Sequence, residues 1–398
     1  MVPNGWKKLK LPEFSWFQEG PGLRKWQFTE SGCKVLNITN IVKGKLDLSK
    51  TDRHISEEEL ISKYSHFLCD AGDIVLASSG NTYCKHGVVR EKDLPLVMNT
   101  SVIRFKPLKN CDYEFLNQFL KSTYLKKQID ILITGGAQPN FGPVHLKQIE
   151  CNFPPLLEQH KIGSILGTWD KAISTTECLI DNSKQQKKAL IQQLLTGKKR
   201  LFDGSGKPFD GEWEAAPLKK CVTFLNGIRK PIKKEDRADM QGAYPYYGST
   251  SVIDYVNDYL FDDELILLGE DGENILSRVL PHVFTISGKT WVNNHAHVMK
   301  ANADKDTTFL CMYLERLDYK KYNSGSAQPK INKAVCEKIP VRFPVLKEQQ
   351  KIASVLINAD KEIELLEQQL ADLKQEKQAL MQQLLTGKRR VNIGKEAV

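Results

Sequence analysis

The feature that most constrains this chain is an internal duplication. The segment AQPNFGPVHLKQIECNFPPLLEQHKIGSILGTWDKAI begins at Ala137, and AQPKINKAVCEKIPVRFPVLKEQQKIASVLINADKEI begins at Ala327, an offset of 190 residues. The match runs without a gap to Gln192–Arg200 (QQLLTGKKR) and Gln382–Arg390 (QQLLTGKRR). Nearly half of the aligned positions, 30 in all, carry the same residue. A chain built this way holds two copies of one architectural element, and the rest must be arranged around them.

Each copy opens on a short strand-like piece bounded by proline and then becomes helical. In the second copy Ile352, Leu356, Ala359, Ile363, Leu366, Leu370, Leu373, Lys377, Leu380 and Leu384 alternate in steps of four and three, with Glu, Gln and Lys between them. That is an a/d seam sustained over more than four heptads and predicts a coiled coil. The first copy places Ile162, Leu166, Trp169, Ile173, Thr176, Ile180, Ser183, Lys187, Leu190 and Leu194 at the same positions, and Thr176, Ser183 and Lys187 weaken it. Lysine occupies the same seam position twice, at Lys187 and Lys377. A buried polar seam residue fixes register or partner; a lysine snorkelling from a fraying end is the other reading. Both helices run into Thr-Gly-Lys, so Gly197 and Gly387 are expected as C′ glycines, among basic residues that suit the negative end of the helix dipole.

After Gly197 the stretch LFDGSGKPFDGEW reads as a hinge. The expected organisation is therefore a globular domain at 1–150, a conserved helix at 151–200, a second globular domain at 201–345, a second conserved helix at 346–390 and a tail at 391–398. At 398 residues the chain is long enough for more than one core. The two globular regions are divergent but echo one another. Gly5-Trp6 then Leu9 resembles Glu212-Trp213 then Leu218; Asp73–Gly80 resembles Glu264–Gly272; Met98-Asn99 resembles Val292-Asn293. The fold class expected is α/β (α+β): two mixed globular domains joined by two long helices packed as an antiparallel coiled coil, with pseudo-twofold symmetry.

Composition enters as a set of exclusions. With 41% hydrophobic and 26% charged residues the chain is globular in type, not disordered or collagenous. Lys plus Arg number 57 against 48 acidic residues, a net charge of +9, which permits a polyanionic partner without requiring one. The nine cysteines form no CxxC pair and are odd in number, against a zinc ribbon or disulfide framework and in favour of reduced thiols. The start of the chain lacks the apolar core of a signal peptide, and no apolar run approaches a bilayer span, so a soluble, cytoplasmic protein is expected.

Catalytic apparatus is not recognisable. Gly288-Lys289-Thr290 would end a P-loop, but Val283 stands where the first glycine belongs; Gly204-Ser-Gly-Lys207 is followed by Pro208. Asn152-Phe-Pro-Pro155 has the wrong order for an adenine-methyltransferase tetrapeptide, and its repeat counterpart is Arg342-Phe-Pro-Val345. Asp372-Leu-Lys374 lies on the coiled coil, and His295 with His297 has no third ligand in view, so no metal site is expected.

Taken together, two helical segments with EQ-x-KI near the start and LLTGK-[KR]-R at the end separate two unlike domains. In this the chain resembles the specificity subunits of type I restriction–modification systems, and the resemblance spans essentially its whole length. Glu158-Gln159, Lys161-Ile162 and Leu194–Arg200 carry the first conserved region; Glu348-Gln349, Lys351-Ile352 and Leu384–Arg390 carry the second. Tyr244–Thr250 and Gly288–His295 are further phrases in keeping with one branch of that family's target-recognition domains. The resemblance implies a subunit without catalysis of its own. Each target-recognition domain would read one half of a split, asymmetric DNA site. The helices would set the spacing and dock two modification subunits that methylate adenine, and restriction subunits could join. No cofactor is expected on this chain; S-adenosylmethionine and ATP with magnesium would sit on the partner subunits.

For such a role, base edges call for Arg, Lys, Asn, Gln, Ser or Thr in loops at strand ends. The candidates in the first domain are Asn37, Thr39, Asn40, Ser78, Ser79, Asn81, Lys85 and His86. In the second they are Tyr246, Tyr247, Ser249, Thr250, Lys289, Trp291, Asn293, Asn294 and His295. Turns ahead of the conserved helices add Thr134, Gln138 and Asn140, against Ser326, Gln328 and Lys330, which suit phosphate or packing roles. Each has a plain structural alternative: turn residues cap their own backbone, Trp291 is a core residue, and only one of Tyr246 and Tyr247 faces solvent in a strand. The run Arg229–Lys234 is a solvated loop or a phosphate contact. Two other functions fit fewer of these features: a coiled-coil scaffold with two protein-binding heads, and a methyltransferase or nuclease in its own right.

Overall fold

The computed structural model describes residues 2–42, 44–49, 51–133, 139–325 and 328–393. The chain divides into two compact units, one of residues 1–177 with 368–398 and one of residues 178–367. Two long helices, Leu156–Leu194 and Leu346–Leu385, contribute residues to both. The molecule is thus a mixed sheet-and-helix protein of two domains with two long helices.

In the first unit a four-stranded antiparallel sheet has the order Ser15–Glu19, Val102–Pro107, Ile74–Ala77, His86–Val88. Ile74–Ala77 is apolar at every position and wholly buried, as a central strand covered on both faces must be. A three-stranded sheet, His54–Ile55, Cys33–Leu36, Leu96–Met98, contains a parallel pair in which Leu36 lies opposite Met98. Phe14, Phe105, Phe115 and Phe119 fill the core with Ile162 and Leu166 of one long helix and Leu384 and Leu385 of the other.

The second unit repeats this plan. Its antiparallel sheet runs Val222–Phe224, Ala296–Ala301, Leu265–Gly269, Val283–Ile286. A second sheet, Val252–Val256, Gln241–Tyr247, Lys289–Val292, Phe261–Asp262, again holds one parallel pair, with Tyr247 opposite Val292. The core joins Phe309, Leu310 and Leu314 to Leu194, Leu195, Ile352 and Leu356. Equivalent short helices lie on the sheets, Tyr113–Lys121 and Thr307–Glu315. Each begins at an aspartate whose carboxylate accepts the N–H three residues on: Asp112 from Phe115 at 2.9 Å and Asp306 from Phe309 at 2.7 Å.

The duplicated sequence phrases hold the long helices to these cores. Gln159 accepts from the Asp112 N–H at 2.8 Å and donates to the Pro154 carbonyl at 2.9 Å. Gln349 does the same with Asp306, at 2.9 Å, and Pro344, at 2.8 Å. The glutamate beside each glutamine is buried and meets the arginine that ends the other copy: Arg390 Nε lies 2.8 Å from Glu158 and Arg200 Nη2 lies 2.6 Å from Glu348. The EQ and LLTGK-[KR]-R phrases are therefore two sides of one contact. Gly197 and Gly387 have φ of +72° and +74°, the left-handed geometry expected of C′ glycines, and each lies under a tryptophan, Trp213 and Trp6 respectively.

Along the seam, Ile162, Leu166, Leu194, Ile352, Leu356 and Leu384 are fully enclosed, with Ile180 and Ile363 nearly so. Trp169, Ile173, Leu190, Leu366, Leu370, Leu373 and Leu380 are half-buried. The helices run antiparallel in each unit. Lys377 meets Asp170 at 2.5 Å and Lys374 meets Glu177 at 2.8 Å in the first; Lys187 meets Asp360 and Lys184 meets Glu367 at 2.6 Å in the second. All nine cysteines are free thiols, and only Cys178 is exposed.

Candidate nucleic-acid interface

In the first unit the parallel strand pair ends at a cleft, a usual place for a binding site in a sheet that contains parallel strands, and the second unit has equivalent strand ends. In the first unit Asn37 and Asn99 are the residues that follow the two strands. The Asn99 N–H donates to Leu36 at 3.0 Å, and its side-chain amide donates to Asn37 Oδ1 at 2.8 Å. The end of the neighbouring antiparallel sheet lies alongside: Ser78 N–H donates to Ser101 at 2.8 Å, and Ser79 forms a β-bridge with Asn140. Asn37, Ser79 and Asn140 are thereby brought to one end of the unit, with Asn99 and Ser101 between them.

The second unit has the same backbone bonds and different side chains. Asn293 N–H donates to Tyr247 at 3.1 Å, Glu270 N–H donates to His295 at 2.8 Å, and Asp271 bridges Lys330. Gly248 thus stands where Asn37 does, His295 where Ser101 does, and Glu270 and Asp271 where Ser78 and Ser79 do. His295 Nδ1 lies 2.9 Å from the Asp271 carboxylate. Burial pushes the Glu270 carboxyl up, but Arg229 at 2.8 Å, His297 and Lys330 at 3.3 Å outweigh it and hold the group below its ordinary value.

Several of the candidates read from the sequence have their side chains turned inward, so the free protein does not offer them to a ligand. Asn40 is buried, donating to the Asp47 carbonyl at 3.1 Å and to Thr51 at 2.8 Å. Ser78 is buried. His86 is buried with Nε2 2.7 Å from Asn117 Oδ1, and burial pushes its pKa down to about 3. Tyr246 is core, its hydroxyl accepting the Ile232 N–H at 3.0 Å, and Tyr247, half-buried against Phe284, is the more open of the two. Trp291 is core, its indole N–H donating to Lys230 at 2.6 Å. Asn293 is a buried turn residue that accepts the His295 N–H at 2.8 Å. Arg229 is tied to Glu270 and to the Ala296 carbonyl, so at that end the basic run is a brace.

Thr39, Asn81, Lys85, Asn140, Lys289, Asn294, His295, Gln328 and Lys330 are exposed, and Ser79, Ser249 and Thr250 are half-buried. Lys289 lies over the Tyr259 ring at 4.7 Å. Thr134, Gln138 and Ser326 lie outside the described residues. The structure adds Arg53, Asn99 and Ser101, which share a cleft of about 280 Å³ with Asn37 and Thr39. The recurrence of Met98-Asn99 as Val292-Asn293 is the signal for Asn99; nothing local marks Arg53. Among the described residues no group of three or more His, Cys, Asp or Glu side chains is placed to hold a metal ion, and no helix is long and apolar enough to cross a membrane.

Two cores of one plan with different residues at equivalent strand ends, each packed on the duplicated helices, define a class of two-domain proteins built on a repeat. The model of the type I restriction modification DNA specificity domain matches residues 3–182 and 211–375, and the chain belongs to that family, the type I specificity subunits. It is 26% identical over 410 residues to the putative type I restriction enzyme MjaX specificity subunit of Methanocaldococcus jannaschii, covering 98% of this chain and 95% of that one. It is 32% identical over 157 residues to a putative type I restriction enzyme specificity subunit of Haemophilus influenzae, covering 39% of this chain and 38% of the relative. It is 30% identical over 204 residues to the MjaVIII specificity subunit of M. jannaschii, covering 50% and 48%. Against these last two, the match spans less than half the relative's length. Among solved structures, the S subunit of a type I restriction–modification system from M. genitalium superposes with a TM-score of 0.58 at 17% identity, over 97% of this chain and 98% of that one. The HsdS subunit of Thermoanaerobacter tengcongensis gives 0.50 at 15% identity, over 98% of each. At those identities the likeness is one of fold.

Proposed function

We propose that this chain is the DNA-reading subunit of a type I restriction–modification complex, each unit reading one half of a bipartite, asymmetric site. The observation that carries the reading is the pair of equivalent strand ends. They have the same backbone scaffold and strand-end bonds, but Asn37 and Ser101 in one are Gly248 and His295 in the other. A duplicated reader with unlike contact residues recognises two unlike half-sites. The long helices, at 39 and 40 residues, are each about 60 Å long. That is more than one turn of DNA, about 34–36 Å, so they can set the spacing of the two halves. Bases between the halves would be spanned and not read.

On this reading the chain supplies position and the chemistry belongs to its partners. Two modification subunits dock on the conserved helices and carry S-adenosylmethionine; their target adenine leaves the stack to be methylated, and a rigid reader fixes which adenine that is. Restriction subunits bring ATP and magnesium. The test is co-expression with a cognate modification subunit in a host free of other methylation, followed by genome-wide mapping of N6-methyladenine. One split, asymmetric motif is expected. A pattern indifferent to the presence of this chain, in an assembled and active complex, contradicts the reading.

A further inference from the structure

The crevice of the first unit has a hydrogen-bonding polarity that specifies a ligand, given the reading above of the units as DNA readers. Asn37 Oδ1 accepts from Asn99 Nδ2 at 2.8 Å and lies 3.5 Å from Arg53 Nη1. The Asn37 amide nitrogen donates to the Val35 carbonyl at 3.2 Å, and Asn99 Oδ1 accepts the Thr100 N–H at 2.8 Å. Asn37 Oδ1 therefore has two donors within the protein, and Asn99 Oδ1 already has one. Among the residues that line the cleft, the second Nδ2 hydrogen of Asn99 and the other N–H groups of the Arg53 guanidinium remain as donors. Arg53 is exposed and is steadied by the Phe28 ring at 5.2 Å. Asp52, also exposed, lines the cleft and brings an acceptor.

We propose that this cleft reads a G·C pair in the major groove. Guanine presents two adjacent acceptors there, N7 and O6, which is the edge that a fork of donors fits; adenine presents an acceptor beside a donor, and thymine a single acceptor beside a methyl group. The amino group of the paired cytosine is the donor that Asp52 suits. Arg53 is the specificity-determining residue, Asn99 its companion, and Asn37 the positioning residue whose carbonyl oxygen organises both. The second unit has Gly248 in place of Asn37 and so lacks this arrangement. The guanine requirement belongs to one half of the site only.

The experiment compares methylation maps of complexes containing the wild-type chain, Arg53→Ala and Arg53→Lys. Arg53 lies on the surface, so neither change disturbs a core, and lysine keeps the charge while losing the planar fork. In the wild type, the half-site that changes when residues 1–150 are exchanged contains a required G·C pair. Arg53→Ala relaxes discrimination at that pair by about tenfold or more, as expected of a lost bidentate contact, Arg53→Lys relaxes it less, and both leave the other half intact. A wild-type half-site with no required G·C pair overturns the proposal. So does an Arg53→Ala map unchanged at every position. A wild-type map that ignores this chain contradicts the DNA-reading function beneath it instead.

Discussion

Lys377 reaches Asp170 across the helix pair at 2.5 Å with 9% of its side chain exposed, and the chain makes the same bond a second time, between Lys187 and Asp360, with each residue at the repeat position of its counterpart, 190 residues away. Burial lowers the Lys377 pKa and Asp170 offsets only part of that. For Asp170, burial works against ionisation, but Lys121, Gln118 and Lys377 outweigh it and hold the carboxyl below its usual range. The pair is thus an acid with several donors and a lysine with one acceptor.

That asymmetry predicts unequal mutants. Lys377→Met leaves Asp170 with Lys121 at 3.0 Å and Gln118 at 2.7 Å and replaces a buried ammonium by an apolar chain, so it is expected to change stability by less than about 1 kcal/mol. Asp170→Ala strands a buried ammonium and is expected to cost about 3 kcal/mol. Adding Lys377→Met to Asp170→Ala should restore much of the loss. Urea denaturation of the three variants checks the order.

The glutamates of the two EQ phrases differ in the same way. Arg200 is the one side-chain partner described for Glu348, whose side chain is 0% exposed, whereas Glu158 also accepts the Trp6 indole N–H at 3.1 Å. Trp213, the counterpart of Trp6, leaves its indole N–H unpaired. Arg200→Ala should therefore destabilise by about 3–5 kcal/mol, and Arg390→Ala by clearly less. Equal losses in thermal or urea unfolding would show that the tryptophan bond does not support Glu158.

Acid should weaken the fold from near pH 6.5 downward. Burial pushes the histidine pKa to about 3 at His86 and about 4 at His282. The folded state therefore holds these rings neutral while the unfolded chain protonates them near 6.5. Their contribution is complete above pH 6.5 and is lost progressively as pH falls towards the folded values, by about 1.4 kcal/mol per pH unit for each ring. Both nitrogens of His282 are without partners, and its ring packs 4.6 Å from Tyr319. His282→Phe should flatten the fall of melting temperature between pH 6.5 and 5; an unchanged slope would contradict the assignment.

Some basic residues brace the fold and others are exposed. Arg229→Ala should lower thermal stability, because it leaves Glu270 short of a donor. Lys85→Ala and Lys289→Ala should leave stability within about 0.5 kcal/mol. If either side chain meets a phosphate, its loss weakens DNA binding evenly across sequences and makes the salt dependence shallower by about one unit. Competition binding at several salt concentrations separates the two kinds.

Much of the architecture is legible in the sequence because it follows from period and repetition. The a/d spacing from Ile352 to Leu384 marks the helix seam, the repeat shows that it occurs twice, and Gly197 and Gly387 announce the helix ends. The strand-end sites are harder to see. Strand-end loops are the right places to look, but sequence alone does not say which way a side chain turns there. Asn40, His86, Trp291 and Asn293 turn inward and bond to groups of the protein itself, and Ser78 is buried. Arg53 stands just ahead of the His54–Ile55 strand, 16 residues beyond Asn37, and meets that residue only through the fold. The partnership of Glu158 with Arg390 is hidden for the same reason: both residues stand in the conserved phrases, yet 232 positions separate them.

The central claim is that the two units read separate halves of one DNA site. Exchange of residues 1–150 for the equivalent domain of a different specificity subunit, followed by mapping of N6-methyladenine in the assembled complex, tests it most directly. The account predicts that one half of the motif changes while the other half and the spacing remain. A motif that changes in both halves, or in neither, would contradict it.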